Sequence, residues 1–160
     1  MAMDVLFFEI RGRRCALPVT AVSEVVVMPS VTPVPHAPPA VRGIAPLRGQ
    51  VVPVIDLGVW LMAPGERGDS AHGPAGYRPG ADKVLLVEAA LGEGTPARAA
   101  LAVDRVMRLG SIDEAHGRPP PPGPPFVTAT VLDVEGPALL IDAPRAVDHV
   151  RAAVRATVGT

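Results

Sequence analysis

Proline and glycine placement decides what this chain can fold into. Pro29, Pro33, Pro35, Pro38 and Pro39 crowd one stretch, and residues 118–125 read R-P-P-P-P-G-P-P. Proline fixes φ and has no backbone N–H, so the first stretch holds nothing longer than an edge strand and the second is extended polyproline. Between these breaks lie short apolar runs, each ended by a turn: 5–10, 14–18, 44–47, 51–55, 84–88, 99–107, 126–133 and 138–142. Short strands with Gly/Pro turns predict an all-β domain made of barrels. Helix is confined to small pieces. Residues 19–28 read as a helical turn passing into a strand, and residues 39–41 as a one-turn helix closed by Gly43. Asp56 stands at a helix N-cap ahead of Leu57, Val59, Trp60 and Leu61. A closing helix spans 144–158: Pro144 fits its first turn, and Val147, Val150, Val154 and Val158 recur as one stripe.

Residues 63–80 lose all periodicity and read as a linker or mobile loop. That loop divides a single domain, 1–160, into a first barrel over 4–62 and a second over 81–143, followed by the helix. A chain of 160 residues has room for one domain or for two small lobes sharing a core.

Charge and cysteine content narrow the function classes. A net charge of −1 and a pI near 6.4 give no basic footprint for nucleic acid. No apolar run spans a bilayer, no basic amphipathic segment suits a membrane surface, and the first four residues carry no positive leader. Direct membrane insertion is not expected, and a soluble cytoplasmic protein is. Cys15 is the single cysteine, so neither a disulfide nor a thiolate metal site is available, and it reads as a small buried hydrophobe. Lys83 stands against fourteen arginines, a coding bias that singles out no arginine.

No catalytic constellation is present. The sequence lacks a G-x-S-x-G elbow, a Gly-rich phosphate loop and an H-E-x-x-H pair. His36, His72, His116 and His149 have no ligand-like spacing, so neither metal nor cofactor is expected. Asp56, Asp104 and Asp142 each follow an apolar strand and read as turn and helix caps. Recognition is the remaining class, and it requires an apolar surface carrying a few placed charges. Two residues fit that description. Glu24 interrupts the run from Val22 to Met28, and Arg48 sits with Gly49 and Gln50 at the turn between two apolar strands. Each reads either as solvated surface or as a charge placed at the lip of an apolar face.

Gly43-Ile44, Leu47-Arg48-Gly49 and Val51-Val52-Pro53-Val54-Ile55-Asp56-Leu57 resemble the central signature of CheW-like domains, the adaptors that join bacterial chemoreceptors to the histidine kinase CheA. Val5-Leu6-Phe7-Phe8, Ala16-Leu17-Pro18-Val19, Val22-Ser23-Glu24-Val25, Ala102-Val103-Asp104-Arg105-Val106 and Leu139-Leu140-Ile141-Asp142 extend the resemblance along nearly the whole chain. Pro46 replaces the Asn usual before Leu-Arg-Gly, removing a donor and acceptor beside Arg48. The resemblance implies two five-stranded SH3-like β-barrels side by side, with an apolar groove between them and no chemistry. It implies assembly roles for Arg48 and Glu24, and makes Val22, Leu86, Val103 and Val106 groove candidates whose other reading is barrel core. A chemoreceptor's cytoplasmic hairpin tip would lie in the groove. The CheW-like regulatory domain of a CheA-type kinase would pack on another face, and head-to-tail contacts could close rings recruited to membrane arrays. Two alternatives stay open: a CheW-like scaffold for pili, gliding or development, and a small-ligand-binding barrel or enzyme.

Overall fold

The computed structural model describes residues 2–61, 83–89 and 97–158. The expected loop at 63–80, with His72, and the turn expected at 92–96 lie outside the described residues. Ten strands are described: β1 (Ala2–Ile10), β2 (Arg13–Pro18), β3 (Val22–Val27), β4 (Val41–Leu47), β5 (Gln50–Ile55), β6 (Lys83–Ala89), β7 (Ala97–Val103), β8 (Arg105–Asp113), β9 (Val127–Asp133) and β10 (Gly136–Ile141). Helix α1 (Gly58–Leu61) follows β5 and α2 (Ala143–Val158) follows β10. A 3-10 turn at Val19–Ala21 leads into β3, as the ambiguous 19–28 segment was expected to behave. Residues 39–41 form no helix. Val41 already begins β4, and its amide closes a turn on the Pro38 carbonyl at 2.9 Å.

The strands form two five-stranded sheets, in the orders β8-β1-β2-β10-β9 and β3-β6-β7-β5-β4. This corrects the expected division at the 63–80 loop. The second sheet takes all its strands from β3 to β7, and the first combines β1 and β2 with β8, β9 and β10. One barrel is therefore inserted within the other. The crossing point is Asp104, where the expected continuous strand 99–107 breaks into β7 and β8. Its amide donates to the Glu9 carbonyl at 2.8 Å, and its Oδ2 accepts from the Arg11 amide at 2.8 Å. Those bonds turn the chain from one sheet into the other.

Side-chain parity explains why the central strands read as unbroken apolar runs. In β1, Val5 and Phe7 face the first barrel's interior, while Leu6, Phe8 and Ile10 face a layer between the barrels. In β7, Ala100 and Ala102 line the second interior, while Ala99, Leu101 and Val103 join that middle layer. The middle layer is the largest apolar cluster, closed by Leu57 and Leu61 around α1 and by Ala146, Val147 and Val150 of α2. The barrels thus share a packed apolar seam.

The two barrels repeat one wiring. The bridge Thr32 to Ile44 has its counterpart in Arg118 to Thr130. The turn from Pro38 to Val41 matches that from Pro124 to Val127, and Asp56 and Asp142 end equivalent strands. Both aspartates cap the helix that comes after the strand: Asp56 Oδ1 accepts from the Gly58 amide and Asp142 Oδ1 from the Arg145 amide, each at 2.9 Å.

Candidate recognition groove and its charged lip

The seam opens to solvent at one edge. There a shallow groove of about 320 Å³ is lined by Leu6 of β1, Val19, Val22 to Val25 of β3, and Leu109 of β8. Leu109 is 67% exposed, Val25 41% and Val19 38%, so its walls are apolar and accessible. Among the described residues of that lining, Glu24 is the charged one.

Glu24 belongs to β3, one edge of the second sheet, and β4 is the opposite edge. The β4–β5 turn has φ of +50 at Arg48 and +76 at Gly49. These paired positive values mark a type I′ turn, which matches strand twist and fixes the hairpin register at Leu47 opposite Gln50. From that tip the Arg48 guanidinium grips Glu24 with both arms of its fork, Nε to Oε2 at 2.8 Å and Nη2 to Oε1. The two charges that sequence reasoning singled out separately are one ion pair. It joins the groove lip to the hairpin tip and bridges the sheet edges across the barrel closure. Pro46 lies in β4 opposite Val51, on an edge strand where proline is tolerated. With Ile44 (38% exposed) and Val51 (68%) it forms a second exposed apolar face.

The other groove candidates divide. Val22 lines the groove and packs on the seam. Val106 packs partly buried against the seam. Val103 is 0% exposed within it, so it supports the groove from beneath and offers no contact surface. Leu86 is 4% exposed and lies between Leu85 and Val87, which face the seam, so strand parity turns it to the other side. An all-apolar strand buried on both faces gives no alternation from which to separate groove from core. Leu109 was missed because the expected strand stopped at Met107. Continuing it to Asp113 exposes the signal, an apolar residue between Arg108 and Gly110 on a strand already facing solvent at Arg105.

Arg11 was also missed. The β1–β2 turn is again Arg-Gly, with φ of +49 and +79. Its guanidinium reaches the buried Asp56 at 3.0 Å, tying the first barrel's turn to the start of α1. Among the described residues no cluster of His, Cys, Asp or Glu could hold a metal ion, and no helix is long and apolar enough to cross a membrane.

The sequence model of the CheW-like domain matches residues 4–151. Among solved structures, the chain is similar to the scaffolding protein TtCheW from Thermoanaerobacter tengcongensis, at 29% identity and a TM-score of 0.67, over 89% of this chain and 85% of that one. Comparison with curated protein sequences finds no match.

Proposed function

This chain belongs to the CheW-like domain family, and on that premise we propose that it is a non-enzymatic scaffold coupling chemoreceptors to a CheA-type histidine kinase. The observation that carries the reading is the apolar groove with an ion-paired lip, formed by Leu109, Val25, Val19 and the Glu24–Arg48 pair. A receptor's helical hairpin tip would lay its apolar stripe there. Covering three side chains that are already half-shielded supplies on the order of 3 kcal/mol. One such contact binds weakly, and stable arrays then depend on many contacts held at high effective concentration. The Ile44, Pro46 and Val51 face offers a separate surface for the kinase's CheW-like regulatory domain, barrel against barrel. Because Glu24 edges the groove and Arg48 tops the hairpin, a shift at one surface is felt at the other through a single side-chain pair.

Co-sedimentation with receptor-bearing membranes, with and without the kinase, tests the proposal. Leu109→Asp is expected to reduce receptor-dependent sedimentation and leave kinase pull-down intact, and Val51→Asp to do the reverse. A wild-type protein that joins neither receptor membranes nor kinase overturns the reading.

A further inference from the structure

The repeated wiring of the two barrels isolates a segment that the wiring does not require. In the inserted barrel the connection from the Thr32 bridge to the turn at Pro38 reads T-P-V-P-H-A-P. It bends on itself: the Ala37 amide reaches the Val34 carbonyl at 3.3 Å, with φ of +62 at His36. In the other barrel the equivalent connection, from the Arg118 bridge to the turn at Pro124, reads R-P-P-P-P-G-P. Among the described residues, no backbone–backbone hydrogen bond shortens it between Pro119 and Gly123. Both sequences join the same two anchor points. The fold therefore accounts for a connection there, and does not account for four consecutive prolines.

Conformation, anchoring and exposure together make this strap a presented ligand. A residue that precedes proline is held out of the helical region, so Arg118 to Pro121 form extended polyproline helix, and the chain bends only at Pro122–Gly123. Both ends are fixed. The Arg118 amide and carbonyl bond to Thr130 at 2.8 and 2.9 Å, and the Val127 amide bonds to the Pro124 carbonyl at 3.2 Å beside the fully buried Phe126. Every residue from Arg118 to Gly123 is exposed. Three residues per turn stack Pro119 and Pro122 on one ridge, about 9 Å apart. Polyproline helix has no internal hydrogen bonds, so its carbonyls stay available to a partner's donors. Arg118 heads the ridge, and it forms no ion pair among the described residues.

We propose that Arg118–Pro122 is a recognition segment for a further partner protein that carries an SH3-type groove, with aromatic side chains taking the Pro119–Pro122 ridge and a carboxylate at the rim taking Arg118. The rings are apolar and already held in the bound conformation, so little ordering cost falls on association. The arginine favours an acidic rim and disfavours a basic one. A partner that adds a strand or accepts a helix is ruled out, because prolines offer no backbone N–H to a ladder and cannot continue a helix. None of these residues lines the recognition groove, so the strap adds a partner to the scaffold without competing for the receptor site.

The probe is an isolated SH3 domain that takes arginine-led polyproline ligands, titrated into the isotope-labelled full-length protein and followed by amide NMR shifts. Expected are saturable shifts at Arg118 and Gly123, the amides that flank the proline run, with a dissociation constant of about 1 mM or tighter. A proline decamer displaces the protein from the probe's groove. The double variant Pro119→Ala/Pro122→Ala removes the ridge, and Arg118→Glu reverses the charge while keeping the backbone bridge to Thr130. Each weakens binding at least roughly fivefold, read at Gly123. Neither moves Tm by more than about 4 °C, because the strap is exposed and its anchors are backbone bonds. Absence of saturable shifts, shifts confined to the Leu109 and Val25 groove, failure of the decamer to compete, or undiminished binding by either folded variant each overturns the proposal.

Discussion

Arg11 and Arg48 occupy the same position in the same kind of turn, and burial alone sets their roles apart. The Arg48 side chain is 63% exposed and its partner Glu24 29%, so water screens the pair. The Arg11 side chain is 14% exposed and Asp56 4%, so removing the arginine takes a guanidinium charge away from a buried carboxylate. Arg11→Ala is therefore expected to cost about 3 kcal/mol in urea unfolding, and Arg48→Ala within about 0.5 kcal/mol while weakening assembly. An unfolded Arg48→Ala protein would make that arginine structural. Cys15 gives an independent check on burial. Its thiol pKa is pushed up to about 12, chiefly by loss of solvent, with Arg13 opposing and Glu9 adding to the shift. It stays protonated at neutral pH, so iodoacetamide is expected to label it only after unfolding. Rapid labelling of the folded protein would contradict its place in the seam.

Within the elements, sheet closure and close backbone approach carry the energy. Gly43 has φ of +150, and a Cβ there would meet the Thr32 carbonyl oxygen at 2.2 Å. Gly43→Ala is expected to destabilise by roughly 2–4 kcal/mol, read as a lowered urea midpoint. The first barrel closes as the second does, by an ion pair between its edge strands: Arg108 of β8 grips Asp133 of β9, and Arg14 approaches from β2. Burial pushes the Asp133 carboxyl up, but the Arg108 hydrogen bond, the Val134 amide and the two guanidinium charges outweigh it, leaving its pKa below the usual carboxylate value. A lowered folded pKa means that ionised Asp133 stabilises the fold above the unfolded pKa near 3.8, and that this is lost as pH falls through the folded value. Asp133→Asn is expected to cost about 1 kcal/mol at neutral pH and nothing in acid, so unfolding curves of variant and wild type should converge as pH drops. Strand existence was legible here because Gly or Pro punctuates every run except the β7–β8 break at Asp104. The Glu24–Arg48 contact was not, since residues on opposite edges of a sheet meet only when the barrel closes, and no local pattern records that closure.

For the whole molecule, the sequence showed nine short strands, with β7 and β8 read as one, and hid their partition. Adjacent strands usually pair, so a break at 63–80 read as a boundary, whereas the real boundaries are the inconspicuous Pro18–Val22 turn and Asp104. The seam explains why this wiring holds. Leu6, Phe8, Cys15 and Leu17 from one barrel interleave with Leu85, Val87, Leu101 and Val103 from the other, all at most 7% exposed. Neither barrel has a solvent-compatible surface on that side, and the first barrel cannot close until β8 returns after the second is complete. Two such halves should behave as one cooperative unit. Thermal unfolding of the full chain is expected to show one transition, with calorimetric and van't Hoff enthalpies equal. The segment 22–103 contains every strand of the second sheet, yet expressed alone it would expose its seam face as a continuous apolar patch. It is expected to bind a hydrophobic dye and to melt without cooperativity. A sharp, independent transition from that fragment would show that the inserted barrel is a domain in its own right, and that the seam is an interface able to open.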